Sequence, residues 1–479
     1  MRIALVVDNP YRDLPGLVLL AIYLCQYGAT CHLVPTNLRN SELWALTPDF
    51  VLLHYLRVNN QELARHLMNA GIKVGVLDTE GGILASMESY ANSLAPDQAV
   101  RNRVSFYFSW GRKLAGYVQE QKLYSNKQVV ITGVPRFDFY SDPWRQALME
   151  IPHCSDNYPK PMVLINGNFS LANPCFNSPE QEIDILVSKF GYNRDQILSR
   201  QKIQRQTMLG ITKLANNLAA RFPEITFIYR PHPFERIDTY SDLLKEENLH
   251  LIRTGTVDNW ILRSRAVIQK SCSTAVEAGL AGIPTLSPLW VPTMVKMQAS
   301  ESVSIDCKSE KELSKALNDA LDGQLDIYSL KGSELHQVVG DWFFKIDGKA
   351  HQRIGNAIVR CIKNTPGNVS DSYCRNALYG LYDRESPWYR RIKGRIAKNL
   401  GLSIHWSFRQ WRNIVGELPW DKSEKQFTTE QVQLLAGVIH TAARGSGKNW
   451  HKTGVQPAQQ RKDYKFGYLQ GRSVTVFPD

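Results

Sequence analysis

At 479 residues the chain is longer than one ordinary domain, and with 43% hydrophobic and 21% charged residues it can bury real cores. Its net charge of +12 favours anionic partners such as nucleotides, nucleic acid or an anionic membrane surface. Eight scattered cysteines, with no CxxC pair and no metal-type spacing to histidine, argue against a disulfide framework and a zinc site.

The first run, Ile3-Ala4-Leu5-Val6-Val7, opens directly on a strand, without the basic start and cleavage site of a signal peptide. The apolar stretch Leu17 to Cys25 is too short for the ~20 residues that span a bilayer, so the chain is expected in the cytoplasm. Strand-like runs recur at 2–8, 31–35, 50–55, 73–78, 105–110 and 128–133. Helical patterns fill the gaps at 14–27, 60–70 and 112–123. Pro143, Pro152, Pro159 and Pro161 then mark 141–161 as a linker. The alternation resumes with strands at 162–166, 225–230, 249–253, 266–270 and 302–306, and helices near 198–220, 274–281 and 309–322. Continuous apolar strands alternating with helices indicate parallel, doubly wound sheets. The expected fold is therefore α/β of the GT-B type: two Rossmann-like domains facing a cleft, 1–140 on the acceptor side and 162–330 on the nucleotide-sugar side. Helices at 331–365 are expected to cross between them, and 366–479 reads as a basic, aromatic C-terminal extension whose last 40 residues are loosely ordered.

Ligands of open α/β sheets bind at the carboxyl ends of strands, so the residues there carry the chemistry. Arg230-Pro231-His232-Pro233 ends one strand. The flanking prolines aim the imidazole, and Arg230 offers a fork of donors to phosphate. Ser271, Ser273 and Thr274 follow the strand at 266–270 and open a helix, which serves equally for N-capping or for phosphate. Glu277, one turn on, suits ribose hydroxyls or the helix dipole. Asp78-Thr79-Glu80-Gly81-Gly82 presents Glu80 or Asp78 as a general base, or forms a simple turn. Asn168 sits in the loop after the strand at 162–166, near the expected donor phosphates, and Gly133 to Asp138 reads as hinge packing.

The combination TGVPRFD at 132–138, YRPHP at 229–233 and SCSTAVEAGLAGIP at 271–284 resembles bacterial surface- and capsule-polysaccharide biosynthesis proteins. It is also similar to GT-B glycosyltransferases that use CMP-activated acids, including Kdo transferases and some sialyltransferases, and in part to CDP-glycerol glycerophosphotransferases. The likeness covers roughly residues 1–360. It implies donor binding by His232, Ser273 and Thr274, a base from an acid-acid-Gly motif, no metal, and no cofactor beyond the nucleotide-sugar donor as substrate. Here a threonine separates the two acids, and a cysteine interrupts the serine pair. The implied activity is sugar transfer from a CMP- or CDP-linked donor to a glycan or lipid-linked acceptor.

Residues 388–412 hold seven basic residues and no acidic one, interleaved with Trp388, Tyr389, Trp406, Phe408 and Trp411. This segment reads either as a peripheral anchor on the anionic inner face of a bacterial plasma membrane or as a solvated helix packed on the second domain. Two further readings keep the same architecture: a nucleotide-sugar 2-epimerase without an acceptor, and a non-catalytic subunit of the polysaccharide machinery. No nucleic-acid-binding module is recognisable, so no nucleic-acid partner is expected.

Overall fold

The computed structural model describes residues 1–84, 86–190, 192–294, 296–364, 368–377, 425–459 and 473–479. The segment 388–412 lies outside the described residues. The chain divides into two α/β units. One is built mainly from Met1–Gly82, Ser86–Ile151 and the described residues from Gly340 onward, the other mainly from Pro152–Val339.

The first unit carries the strands β1 (Arg2–Val7), β2 (Thr30–Pro35), β3 (Phe50–Leu53), β4 (Lys73–Val76), β5 (Phe106–Ser109) and β6 (Val129–Ile131). They pair in parallel in the order β2-β1-β3-β4-β5-β6. β1 is buried from Ile3 to Val7, as a parallel strand covered on both faces must be. The first helix runs Pro10–Cys25, four residues earlier than its apolar run predicts. Asn9 caps it through its side chain and Pro10 occupies the first turn, where no N–H is needed. The chain leaves β1 toward β2 and returns to the other side as β3, so this sheet changes direction between β1 and β3.

The region expected as an appended extension also contributes to this sheet. β13 (Thr453–Pro457) and β14 (Val474–Pro478) form an antiparallel pair, and β14 adds antiparallel to the free edge of β2, with Val474 opposite Leu33 and Val476 opposite Cys31. His32 Nδ1 lies 3.0 Å from Thr475 Oγ1 across that pairing. Burial, helped by the Arg2 charge, pushes the His32 imidazole down to about 4. The helix Ala350–Asn364 also belongs to this unit, where Tyr23 donates to Asn356 Oδ1 at 2.9 Å.

The second unit holds β7 (Met162–Asn166), β8 (Thr226–Arg230), β9 (Leu249–Leu251), β10 (Ala266–Ile268), β11 (Thr285–Pro288) and β12 (Ile305–Cys307), all parallel in the order β12-β11-β10-β7-β8-β9. Here the direction changes between β7 and β10. β11 is absent from the sequence reading: Thr-Leu-Ser-Pro has one large apolar residue, yet all four are buried. The helix Arg194–Arg221 lays Met208, Ile211, Leu214 and Leu218 on Val163, Ile165, Phe227 and Tyr229. Truncating one of these leucines to alanine would cost about 2–5 kcal/mol. Both units are doubly wound and Rossmann-like.

Candidate functional site

In the second unit the switch point lies between the ends of β7 and β10. β7 ends on Asn166, which is buried and donates through Nδ2 to Thr274 Oγ1 at 3.0 Å. The Thr274 hydroxyl in turn donates to Cys272 Sγ at 3.2 Å. Gln269 accepts the Cys272 N–H at 2.7 Å, fixing the turn. Ser271 sits at φ 50°, in the left-handed region. That conformation lets its N–H and its hydroxyl both donate to Glu301 Oε1, at 2.9 and 2.7 Å. Glu301 Oε2 accepts from Ser287 at 2.7 Å. Ser271 is thus tied to Glu301, whereas Ser273 opens the helix Thr274–Leu280 without a side-chain cap bond. Glu277 is buried within that helix.

The Arg-Pro-His-Pro turn stands on the other side of β7. Arg230 pairs in register with Asn166. Its guanidinium donates to the carbonyls of Thr254 and Gly255, the latter at 2.9 Å, and lies 5.8 Å above the Trp260 ring. Two of its donors therefore hold the 254–255 loop. His232 donates its N–H to Glu235 Oε1 at 2.8 Å, and the Phe234 N–H donates to His232 Nδ1 at 3.2 Å. An Nδ1 that accepts leaves the proton of the neutral ring on Nε2.

Glu235 organises this side of the site, and the sequence reading passed over it. It is fully buried. Its Oε1 accepts both the His232 N–H and the Phe169 N–H, the second at 2.9 Å, while Oε2 accepts from the Tyr240 hydroxyl. One carboxylate thus joins the histidine turn to the loop after β7. Burial pushes its pKa up, against the opposing pull of the Phe169, Tyr240 and His232 hydrogen bonds. The backbones close up as well: Gly167 N–H donates to Arg230 O at 2.7 Å, and a Cβ at Gly167 would lie 3.3 Å from Pro231 Cα. Asn168, in the same loop, is partly exposed, and its carbonyl accepts from Gln204 at 3.2 Å. The available signal for Glu235 was an acid three residues past His232, inside a proline-bounded turn too tight to leave it in water.

In the first unit, Asp78 and Glu80 have different surroundings. Asp78 is buried; Oδ1 accepts from Glu80 N–H at 2.9 Å and from Arg57 at 3.3 Å, and Oδ2 accepts from Tyr90 at 3.1 Å. Its carbonyl accepts from Trp110 Nε1 at 2.7 Å. Burial raises the Asp78 pKa, and the Arg57 charge opposes it. Glu80 is exposed and meets Arg57 at 2.9 Å.

Next to them, a pocket opens at the strand ends, lined by Val6, Leu17, Leu53, His54, Thr79 and Trp110 among others. Arg136 closes one wall, its guanidinium 4.9 Å from the Trp110 ring centre and 4.6 Å from that of Phe137. His54 Nε2 lies 3.1 Å from Thr36 Oγ1. His54 Nδ1 and Thr79 Oγ1 are both buried and have no hydrogen-bond partner among the described residues. Burial first, and the Arg39 charge second, hold the His54 imidazole well below its usual pKa, so it is neutral. Further along the first unit, Asp138 of the TGVPRFD motif accepts from the N–H groups of Ala350 and His351, both at 2.9 Å, and from His351 Nδ1 at 2.8 Å. That motif end is occupied in holding the helix Ala350–Asn364.

No protein-family model matches this chain, and no curated protein matches it. Among solved structures it is similar to an S. aureus MnaA–UDP co-structure, at 14% identity and a TM-score of 0.46, over 76% of this chain and 97% of that one. A putative UDP-N-acetylglucosamine 2-epimerase from Listeria monocytogenes gives 15% identity and a TM-score of 0.49, again over 76% and 97%. The wall teichoic acid polymerase TagF gives 18% identity and a TM-score of 0.37, over 61% of this chain and 69% of that one. The assignment of two doubly wound units rests on the strand orders themselves.

Proposed function

We propose that this chain is an enzyme of surface-carbohydrate synthesis that takes a nucleotide-activated sugar, CMP- or CDP-linked, and transfers the sugar to a glycan or lipid-linked acceptor. The observation that carries the reading is the hydrogen-bonded set Asn166, Thr274, Glu235 and His232 around the switch point of the second unit. In this reading His232 donates from Nε2 to the donor phosphate, Ser273 and the Asn168 loop complete the phosphate site, and Thr274, engaged by Asn166 and Cys272, holds the helix start beside it. Glu277 serves the ribose. Arg230 and Ser271 act as positioning residues, since their side chains are already engaged by Thr254, Gly255 and Glu301. Fixed donors aimed at a phosphate that gains charge as the sugar leaves supply the electrostatic stabilisation that usually dominates such reactions.

On the acceptor side, Glu80 is the base and Asp78 positions it, holding the Glu80 N–H and the shared Arg57. His54 and Thr79 offer buried polar atoms to an acceptor hydroxyl in a pocket that Asp13 and Arg136 also line. A second reading draws on the same pocket. The neutral His54 imidazole, with the Asp8 carboxylate 3.8 Å from its Nε2, suits proton exchange at a sugar carbon as well as at a hydroxyl, which is the chemistry of a nucleotide-sugar 2-epimerase.

Calorimetry with CMP, CDP, UDP and GDP on wild type and His232→Ala tests the proposal. Cytidine-nucleotide binding that is lost in the variant supports transfer. Binding of UDP alone, with deuterium entering a UDP-sugar from D2O without any acceptor, replaces it by the epimerase reading. No nucleotide binding at all overturns both.

A further inference from the structure

The pocket of the first unit has mostly apolar walls, among them Val6, Leu17, Leu53, Leu77, Trp110 and Val134. The charged residues that line it are already engaged. Asp13 accepts from Arg12 at 2.9 and 3.1 Å and from the Asn9 N–H at 3.1 Å, and the Arg136 guanidinium lies against the Trp110 and Phe137 rings. His54 Nδ1 and Thr79 Oγ1 are different: both atoms are buried and have no hydrogen-bond partner among the described residues. The two residues are fixed to each other, because the Thr79 N–H donates to the His54 carbonyl at 2.9 Å. An unmade bond at a buried polar atom is costly, so this pair of atoms calls for a ligand that meets both.

The hydrogen bonds behind His54 place its proton. Thr36 is buried, and its hydroxyl oxygen accepts from Arg39 Nη1 at 2.8 Å. The hydrogen of that hydroxyl has one acceptor in reach among the described residues, His54 Nε2 at 3.1 Å. Asp8 Oδ1, 3.8 Å from Nε2, is beyond hydrogen-bond distance. Thr36 therefore donates to Nε2, and because burial keeps the ring neutral, the single ring proton sits on Nδ1. Thr36 does not line the pocket, so Nε2 is turned away from it and Nδ1 is the nitrogen left for a ligand. His54 thus offers an N–H donor, and Thr79 a hydroxyl that accepts or donates.

A group that satisfies this pocket has an oxygen to accept from His54, a neighbouring atom to pair with Thr79, no charge, and an apolar part for the leucine and valine walls. A lone hydroxyl meets the polar atoms and leaves the walls unfilled. A carboxylate would be buried among apolar side chains in a pocket that Asp13 also lines. A secondary amide meets each requirement: its carbonyl oxygen accepts from His54 Nδ1–H, its N–H donates to Thr79 Oγ1, and its acyl carbon chain packs on the walls. We propose that this pocket recognises an acylamino group carried by the acceptor, with Arg39 and Thr36 as positioning residues that set the His54 tautomer. The proposal rests on the sugar-transfer reading only in naming the bearer of that group as the acceptor.

The test is nitrogen NMR of the full chain carrying isotope-labelled histidine, with His54→Gln identifying the His54 signals. In wild type the proton is expected on Nδ1. Thr36→Val removes the hydroxyl that fixes it and is expected to spread the proton over both ring nitrogens. N-methylacetamide is expected to shift the Nδ1–H signal saturably, whereas ethanol and acetate at the same concentration leave it in place. The methyl glycosides of N-acetylglucosamine and N-acetylgalactosamine are compared in the same way with those of glucose and galactose. At least one acetamido glycoside is expected to bind about fivefold more tightly than its hydroxyl counterpart, and Thr79→Val to abolish that preference. A proton on Nε2 of wild type overturns the proposal, and so does an equal response, or none, to the amide and its controls. A response to the amide in a chain that binds no nucleotide supports the pocket assignment and removes the sugar-transfer reading.

Discussion

Asn166 donates a hydrogen bond of 3.0 Å to Thr274 across the point where the second sheet changes direction. The two residues are 108 positions apart in the chain, yet they join the last residue of β7 to the first residue of the helix that follows β10. Thr274→Val deletes the hydroxyl that accepts this bond and donates to Cys272. The Kd for the preferred cytidine nucleotide is expected to rise about tenfold, equivalent to ~1.4 kcal/mol. Titration calorimetry reads this directly, and an unchanged Kd would remove Thr274 from the nucleotide site.

Glu235 is expected to behave as a positioning residue. Glu235→Ala leaves the N–H groups of His232 and Phe169 without their acceptor in a buried place, a loss of about 2–4 kcal/mol in stability. Glu235→Gln keeps an oxygen for both N–H groups and should lose only about 1 kcal/mol, with nucleotide binding largely restored. Denaturant unfolding of the two variants separates these outcomes. Equal losses would mean that charge, and not the shared acceptor, is what matters.

Asp78 and Glu80 should part company on mutation. Asp78→Asn breaks a buried carboxylate bound to Arg57, Tyr90 and the Glu80 N–H, and should destabilise the chain by about 3 kcal/mol. Glu80→Gln changes an exposed group, so stability should move by no more than about 0.5 kcal/mol while kcat falls by about 10²–10⁴-fold. Turnover with either nucleotide-sugar, measured beside thermal midpoints, decides between base and scaffold for each acid.

The pairing of β14 with β2 gives a pH signature. The His32 imidazole sits at about 4 in the folded chain and near 6.5 once unfolded, so the unfolded state takes the proton first as pH falls. Its contribution is complete above pH 6.5, declines between 6.5 and about 4, and amounts to roughly 3 kcal/mol over that window. His32→Gln should therefore lose less stability than wild type between pH 7.5 and 4.5 in denaturant titrations. Parallel losses in the two proteins would contradict a buried neutral His32.

Much of the architecture was legible because parallel strands declare themselves as short continuous apolar runs. β1, β3 and β7 stand in the sequence where they stand in the fold. β11 escaped because Thr, Ser and Pro can be buried between neighbours that the sequence does not reveal. β13 and β14 escaped for a related reason: an edge pair, one strand of which is mostly polar, becomes recognisable only when its partner, β2, is known. At the site, the prolines around His232 signalled an aimed side chain, but nothing local foretold that Arg230 would spend its donors on Thr254 and Gly255. Glu235, Glu301 and His54 were missed because their roles come from burial, and burial belongs to the fold, not to the motif.

The bond between His32 and Thr475 spans 443 positions. During synthesis β1 to β6 leave the ribosome early, while the strand that covers the β2 edge is made long afterwards. For most of translation that edge carries unpaired backbone groups, able to recruit a strand from another nascent chain. Production of this protein should therefore depend on how the half-made chain is shielded, and shortening it from the carboxyl end would injure its amino-terminal sheet first.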